Sequence, residues 1–170
     1  AQHYEFKTNY IDLTKDREVA EFFAYTYIDE NGEITRYNGT KNNFIVPNSI
    51  NNIVPTALGK KVFENSGINS IVLPESISTI KQYAFKNANE LKHISALGVT
   101  LINSEVFKNC FSLISENMPL VDTVISESFK NCSMLHSIDF GNSLTKISDE
   151  SFAYCGLTEC DLPNYIGNKG

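Results

Sequence analysis

The chain has no tryptophan, two methionines and four cysteines, and no two cysteines form a CxxC pair, which removes the usual zinc signature. GxSxG, HExxH, GxGxxG and the Walker phosphate loop are missing, so no catalytic or nucleotide-binding fingerprint is present. Gly59–Lys60–Lys61 has neither the upstream glycine nor the Ser/Thr that a phosphate loop requires. Positive charge is scarce. Lys and Arg number 14 against 20 Asp and Glu, the net charge is −6, and no basic cluster offsets it. A nucleic-acid partner is therefore not expected. Apolar runs are only a few residues long, far short of the roughly 20 needed to cross a bilayer, so no membrane span is expected. The chain opens at Ala1 without a charged-then-apolar leader and reads as a mature or excised form.

What remains suits a folded chain. Of its 170 residues 42% are hydrophobic and 20% charged, enough for a core and too little charge for disorder. That length fits one ordinary domain or a short repeat array with a cap. The sequence carries a beat: Phe63, Phe85, Phe107, Phe129 and Phe152 are separated by 22, 22, 22 and 23 residues. Five residues before each stands an aliphatic side chain, namely Leu58, Ile80, Ile102, Val124 and Ile147. A period of about 20–29 residues marks a solenoid, in which no single turn can bury its apolar face alone.

Ahead of the array, residues 1–23 do not repeat. Thr14 followed by Lys15–Asp16–Arg17–Glu18 and the apolar Val19, Ala20, Phe22 and Phe23 predicts an N-capped short helix. From Phe23 to Tyr37 the period changes to two around Asn31–Gly32, which predicts a β-hairpin covering the open edge of the first turn. Asn38–Gly39–Thr40 and Asn131–Cys132–Ser133 match the glycosylation sequon, as chance allows in an Asn-rich chain.

After each anchoring phenylalanine comes a strand phrase: Ile68/Ile71/Leu73, Leu91/Ile94/Ala96, Leu113/Glu116/Met118, Leu135/Ile138/Phe140 and Leu157/Cys160/Leu162. Short polar stretches before the anchors, such as Lys81–Gln82–Tyr83 and Ser148–Asp149–Glu150, suit a brief helical or 3₁₀ turn on the outer wall. Cys110, Cys132 and Cys155 follow the repeat and fill one buried column. On neighbouring turns they could approach closely enough for a disulfide, which leaves the redox compartment open.

Ile71–Val72–Leu73–Pro74, with Ala84–Phe85–Lys86–Asn87, Phe107–Lys108–Asn109–Cys110 and Phe129–Lys130–Asn131–Cys132, resembles the BspA-type leucine-rich repeat. The resemblance runs over roughly residues 25–166. It implies an α/β leucine-rich-repeat solenoid with short parallel strands, about five turns of 22–23 residues and an N-terminal hairpin cap. The expected division is 1–43 for the cap and 44–170 for the repeats. It further implies a secreted or cell-surface protein that adheres to host matrix proteins or other cells, with a structural spacer as the alternative. The family has no catalytic motif or cofactor to transfer, so the chain is not expected to be an enzyme. Ser66 and Ala88 depart from the family's cysteine.

If the phrase is a strand, the residues between its inward positions face out. Lys92, Ile114, His136 and Thr158 form one column; His93, Ser115, Ser137 and Glu159 a second; Ser95, Asn117, Asp139 and Asp161 a third. This flat, mixed-charge surface is the candidate protein-binding face; the bland alternative is a solvated sheet. His93 and His136 lie two turns apart, roughly 10 Å, and in different columns, whereas zinc needs ligands at about 2 Å. Asp139, Glu159 and Asp161 lack the six or more oxygens that calcium wants. No metal is expected. Glu116 breaks the apolar column, and burying an acid there is costly. A bulge that turns Ile114 inward in its place is the simpler expectation; a buried switch or ligand contact is the other.

Overall fold

The computed structural model describes residues 26–157. The expected helix at 14–23, and Thr158, Glu159, Cys160, Asp161 and Leu162, lie outside the described residues.

β1 (Thr26–Ile28) and β2 (Glu33–Tyr37) form the antiparallel hairpin. Asp29 staples its turn, its Oδ1 accepting from the N–H groups of Asn31 at 2.9 Å and Glu33 at 2.8 Å. Gly32 takes a left-handed φ of 83°, and a Cβ there would meet the Val54 carbonyl oxygen at 2.4 Å. The hairpin does more than lie over the array. β2 pairs in parallel with β4 (Ala57–Leu58), which puts Ile34 at the head of the aliphatic column. The column continues through β6 (Thr79–Ile80), β8 (Leu101–Ile102), β10 (Thr123–Val124) and β12 (Lys146–Ile147), completing a seven-stranded sheet.

The L-x-x-I-x-L phrases form the other side. β3 (Asn43–Ile45), β5 (Ser70–Val72) and β7 (His93–Ser95) pair in parallel, as do β9 (Ser115–Asn117) and β11 (Ser137–Asp139). β5, β7, β9 and β11 each bury their middle residue and turn their flanks outward, the period of two expected of a half-buried strand.

Between the sheets runs the phenylalanine column. Phe63, Phe85, Phe107, Phe129 and Phe152 stack with successive ring centroids 5.2, 5.3, 5.0 and 5.2 Å apart. Phe140 meets Phe129 and Phe152 edge-on. Phe63 to Phe129 are fully buried, as are the aliphatic residues beside them. Burying an aromatic side chain contributes about 2–3 kcal/mol, so this column is a main source of cohesion between turns. The chain is thus a β-solenoid of about five turns, with no helix among the described residues.

The outer wall differs from the expected 3₁₀ turn. Tyr83, Glu105, Glu127 and Glu150, and again Asn87, Asn109 and Asn131, have left-handed φ of 55–65°. Two left-handed residues four positions apart in each turn break any helical run and leave interlocked β-turns instead. Their spare N–H groups reach the next turn: Phe85 N–H donates to Val106 O at 2.9 Å, Phe107 to Ser128 O at 2.7 Å, and Asn109 to Lys130 O at 2.9 Å. Asparagine tolerates this conformation best among residues with a Cβ, which explains its recurrence two places after Phe63, Phe85, Phe107 and Phe129.

Glu116 overturns the expected bulge. It is 7% exposed in the inward column, while Ile114 stays half-buried. Leu113 and Met118 are both fully buried and pin the register on either side, so the strand has no slack to shift.

Candidate functional site

The outward columns lie on the strand face as the alternation requires. Lys92, His93, Ser115, Asn117, His136, Ser137 and Asp139 are exposed, and Ser95 and Ile114 half-buried. The third column runs on toward the N-terminal end through Val72 and Ile45, 41% and 60% exposed. The face therefore changes from apolar at β3 and β5 to polar and acidic at β9 and β11.

A shallow trough crosses it. One depression of about 390 Å³ lies over β5, β7 and β9, with Val72, Ile94 and Leu97 among its walls. A second of about 420 Å³ lies over β9 and β11. Ser115, Glu116 and Asn117 belong to both, so Glu116 sits at the centre of the trough. Burial pushes its carboxyl up to about 8, with the Ile94 N–H pulling the other way.

The polar groups of the face are partly committed already. Asp139 Oδ1 accepts from Gly141 N–H at 2.7 Å, and His136 Nδ1 lies 3.3 Å from Gly156 O. Among the described residues no cluster of three or more His, Cys, Asp or Glu side chains is placed to hold a metal ion.

Two features of the wall escaped the sequence reading. The Asn side chains form an amide ladder, Asn87 Nδ2 donating to Asn65 Oδ1 at 2.9 Å, Asn109 to Asn87 at 2.7 Å and Asn131 to Asn109 at 2.7 Å. The sequon nitrogen of Asn131 is thereby engaged. Beside it runs an ion-pair chain, Lys86–Glu105 at 2.7 Å, Glu105–Lys108 at 3.0 Å, Lys108–Glu127, Glu127–Lys130 at 3.4 Å and Lys130–Glu150. Burial raises the Glu105 carboxyl, but the hydrogen bonds from Lys86 and Lys108 outweigh it and hold the group low. The repeated F-K-N and the glutamate two places before Phe were the available signals. Among the described residues the cysteines are free thiols: Cys110, Cys132 and Cys155 donate to Phe85, Phe107 and Phe129 carbonyls at 3.1, 3.2 and 2.9 Å. Burial pushes the Cys110 thiol far up, away from reactivity.

The family model of the BspA type leucine rich repeat region matches residues 56–169 in six copies, more than half of the chain. The chain belongs to the BspA-type leucine-rich-repeat family. No curated protein sequence matches it. Solved structures do. A leucine-rich-repeat protein of T. pallidum is 25% identical with a TM-score of 0.77, over 85% of this chain and 70% of its own. One from Bacteroides ovatus is 25% identical with a TM-score of 0.70, over 82% of this chain and 39% of its own. A leucine-rich cell-surface protein of Faecalibacterium prausnitzii, 23% identical with a TM-score of 0.57 over 78% of this chain and 45% of its own, shares the fold. This BspA-type chain is thus a repeat module spanning under half of two of these three relatives. No helix among its described residues is long and apolar enough to cross a membrane.

Proposed function

We propose that this BspA-type chain is a non-catalytic protein-binding module of a secreted or cell-surface protein. Its partner, a host matrix protein or a protein on another cell, docks on the strand face, and no cofactor takes part. The observation that carries this reading is the trough across β5 to β11, open along its length, apolar at Val72 and Leu97 and acidic at Asp139. Repeat solenoids characteristically bind along such an extended surface. The family, and a structural neighbour described as a cell-surface protein, support the location. Lys92, His93, Ser95, Ile114, Ser115, Asn117, His136, Ser137 and Asp139 provide the docking contacts, and Thr158, Glu159 and Asp161 extend them. Residues 44–170 supply the face and 1–43 the cap.

Surface plasmon resonance of the chain against a panel of immobilised matrix proteins tests the reading. Saturable binding is expected, weakened by about tenfold or more, 1.4 kcal/mol, when Lys92, His136 and Asp139 are all replaced by alanine. Absence of saturable binding to every matrix and cell-surface protein tried overturns it. The ladders along the outer wall favour a second reading, a stiff spacer that carries another domain and binds nothing itself.

A further inference from the structure

Strands β5 and β7 are joined by a regular parallel ladder, and so are β9 and β11, but between β7 and β9 the ladder stops. The opposite sheet does not share the break, for β8 and β10 stay paired at Leu101↔Thr123 and Ile102↔Val124. A backbone hydrogen bond links the two turns just ahead of the gap, from Ile114 N–H to Lys92 O at 3.3 Å. A side chain makes a further link. Ile94 N–H donates to both carboxyl oxygens of Glu116, at 3.3 and 3.2 Å. A glutamate carboxyl has taken the place of a main-chain acceptor in the middle of the strand face.

We propose that Glu116 is a proton-operated joint in this face: neutral, its carboxyl ties β9 to β7 through the Ile94 N–H, and ionised, it turns out into the trough and releases that tie.

The geometry supplies both states. In the first, the side chain is buried in an otherwise apolar column between Ile94 and Ile138, where a neutral acid is tolerated and still offers an oxygen to Ile94 N–H. In the second, an anion held by one shared N–H carries a heavy desolvation penalty. Its carboxyl already lies in the seam between β7 and β9, at the Ile94 N–H, and the depressions open over that seam, so letting go of the N–H gives the carboxylate water as its proton leaves to solvent. The change falls near pH 8, because burial raises the group that far against the pull of Ile94 N–H. On the neighbouring strands the charged or titratable groups are Lys92 and His93 on the β7 side and His136 and Asp139 on the β11 side. All four are exposed on the outer surface, β5 contributes none, and none is ion-paired to Glu116 among the described residues. The joint exists whether or not the face binds a partner, so its test stands apart from the adhesion assay.

The test is amide NMR of the ¹⁵N-labelled chain from pH 6 to 9.5. The Ile94 amide resonance is expected to move with a midpoint near 8. Its protection against exchange should fall about tenfold or more relative to Ile71, its counterpart in the intact β5–β7 ladder. In Glu116→Gln, which keeps an acceptor but cannot ionise, both responses should vanish. In a His93→Gln variant the Ile94 titration should keep its midpoint and amplitude. An Ile94 amide that does not titrate, or one that titrates equally in Glu116→Gln, overturns the joint. The wild-type titration alone decides the matter if the Gln variant does not fold.

Discussion

On the outer wall neighbouring turns share most of their bonds, whereas the strand face changes character from one turn to the next. The wall uses Phe, Lys, Asn and Cys in fixed roles: ring stack, ion pair, left-handed turn with amide ladder, and thiol donor. The strand face runs from Ile45 and Val72 through Ser95 to Asn117 and Asp139, and breaks its own ladder at Glu116. Positions that hold the solenoid together are constrained by the turns above and below, so they recur. Positions that look outward on the strands answer to no neighbour and are free to differ. Individuality on one side rests on monotony on the other.

The largest way to break this contrast is to attack the monotonous side. Phe107→Ala removes a fully buried ring stacked on Phe85 and Phe129, and should cost about 3–5 kcal/mol in chemical denaturation. A loss under about 1 kcal/mol would mean that the turns cohere by other means. Next in size is Glu116, the one place where the variable side intrudes on the core. Its folded value near 8 lies above its ordinary 4.5, so the fold favours the protonated form. The stability it supports is therefore full below about 4.5, declines as pH rises toward 8, and is level above that. At about 1.4 kcal/mol per unit the decline amounts to a few kcal/mol. Glu116→Leu should flatten that slope in urea titrations from pH 5 to 9 and leave the variant more stable than wild type at pH 9. A slope unchanged by the substitution would place the ionisation elsewhere. The smallest effects sharpen the comparison directly. Asn109→Ala gives up two rungs of the amide ladder and forces alanine into a left-handed turn, for a loss of about 1–2 kcal/mol. Ser137→Ala, on the strand face of the following turn, should stay within about 0.5 kcal/mol by thermal unfolding.

Much of the fold was legible because the repeat multiplies each signal. Five phenylalanines on one beat locate the ring column, and the period-two stretch around Asn31–Gly32 locates the hairpin. The missed points are those where a local rule competes with a neighbour. Lys81–Gln82–Tyr83 looks like a tight helical turn in isolation, but Ala84 and Val106 must offer their carbonyls to Phe63 and Phe85 in the preceding turns, and that requires left-handed residues between. Glu116 looks like a reason to bulge until the buried Leu113 and Met118 are seen to fix the strand from both sides. Ile34 was hidden because it belongs to the hairpin in sequence and to the aliphatic column in space. Of the candidate face, the exposure of its columns followed from alternation. The trough did not, since it depends on which side chains are short enough to leave room.

The wall of β-turns has a geometric consequence. Horseshoe-shaped repeat proteins curve when one side is broader than the other, as a helix is broader than a strand. Here the wall and the seven-stranded sheet both advance by backbone bonds from turn to turn, near the strand spacing of about 4.8 Å. Successive phenylalanine rings accordingly tilt by only 7°, 7°, 20° and 7°. Inserting or deleting one 22-residue unit therefore lengthens or shortens the ring column by a fixed step of about 5 Å, the spacing of one turn.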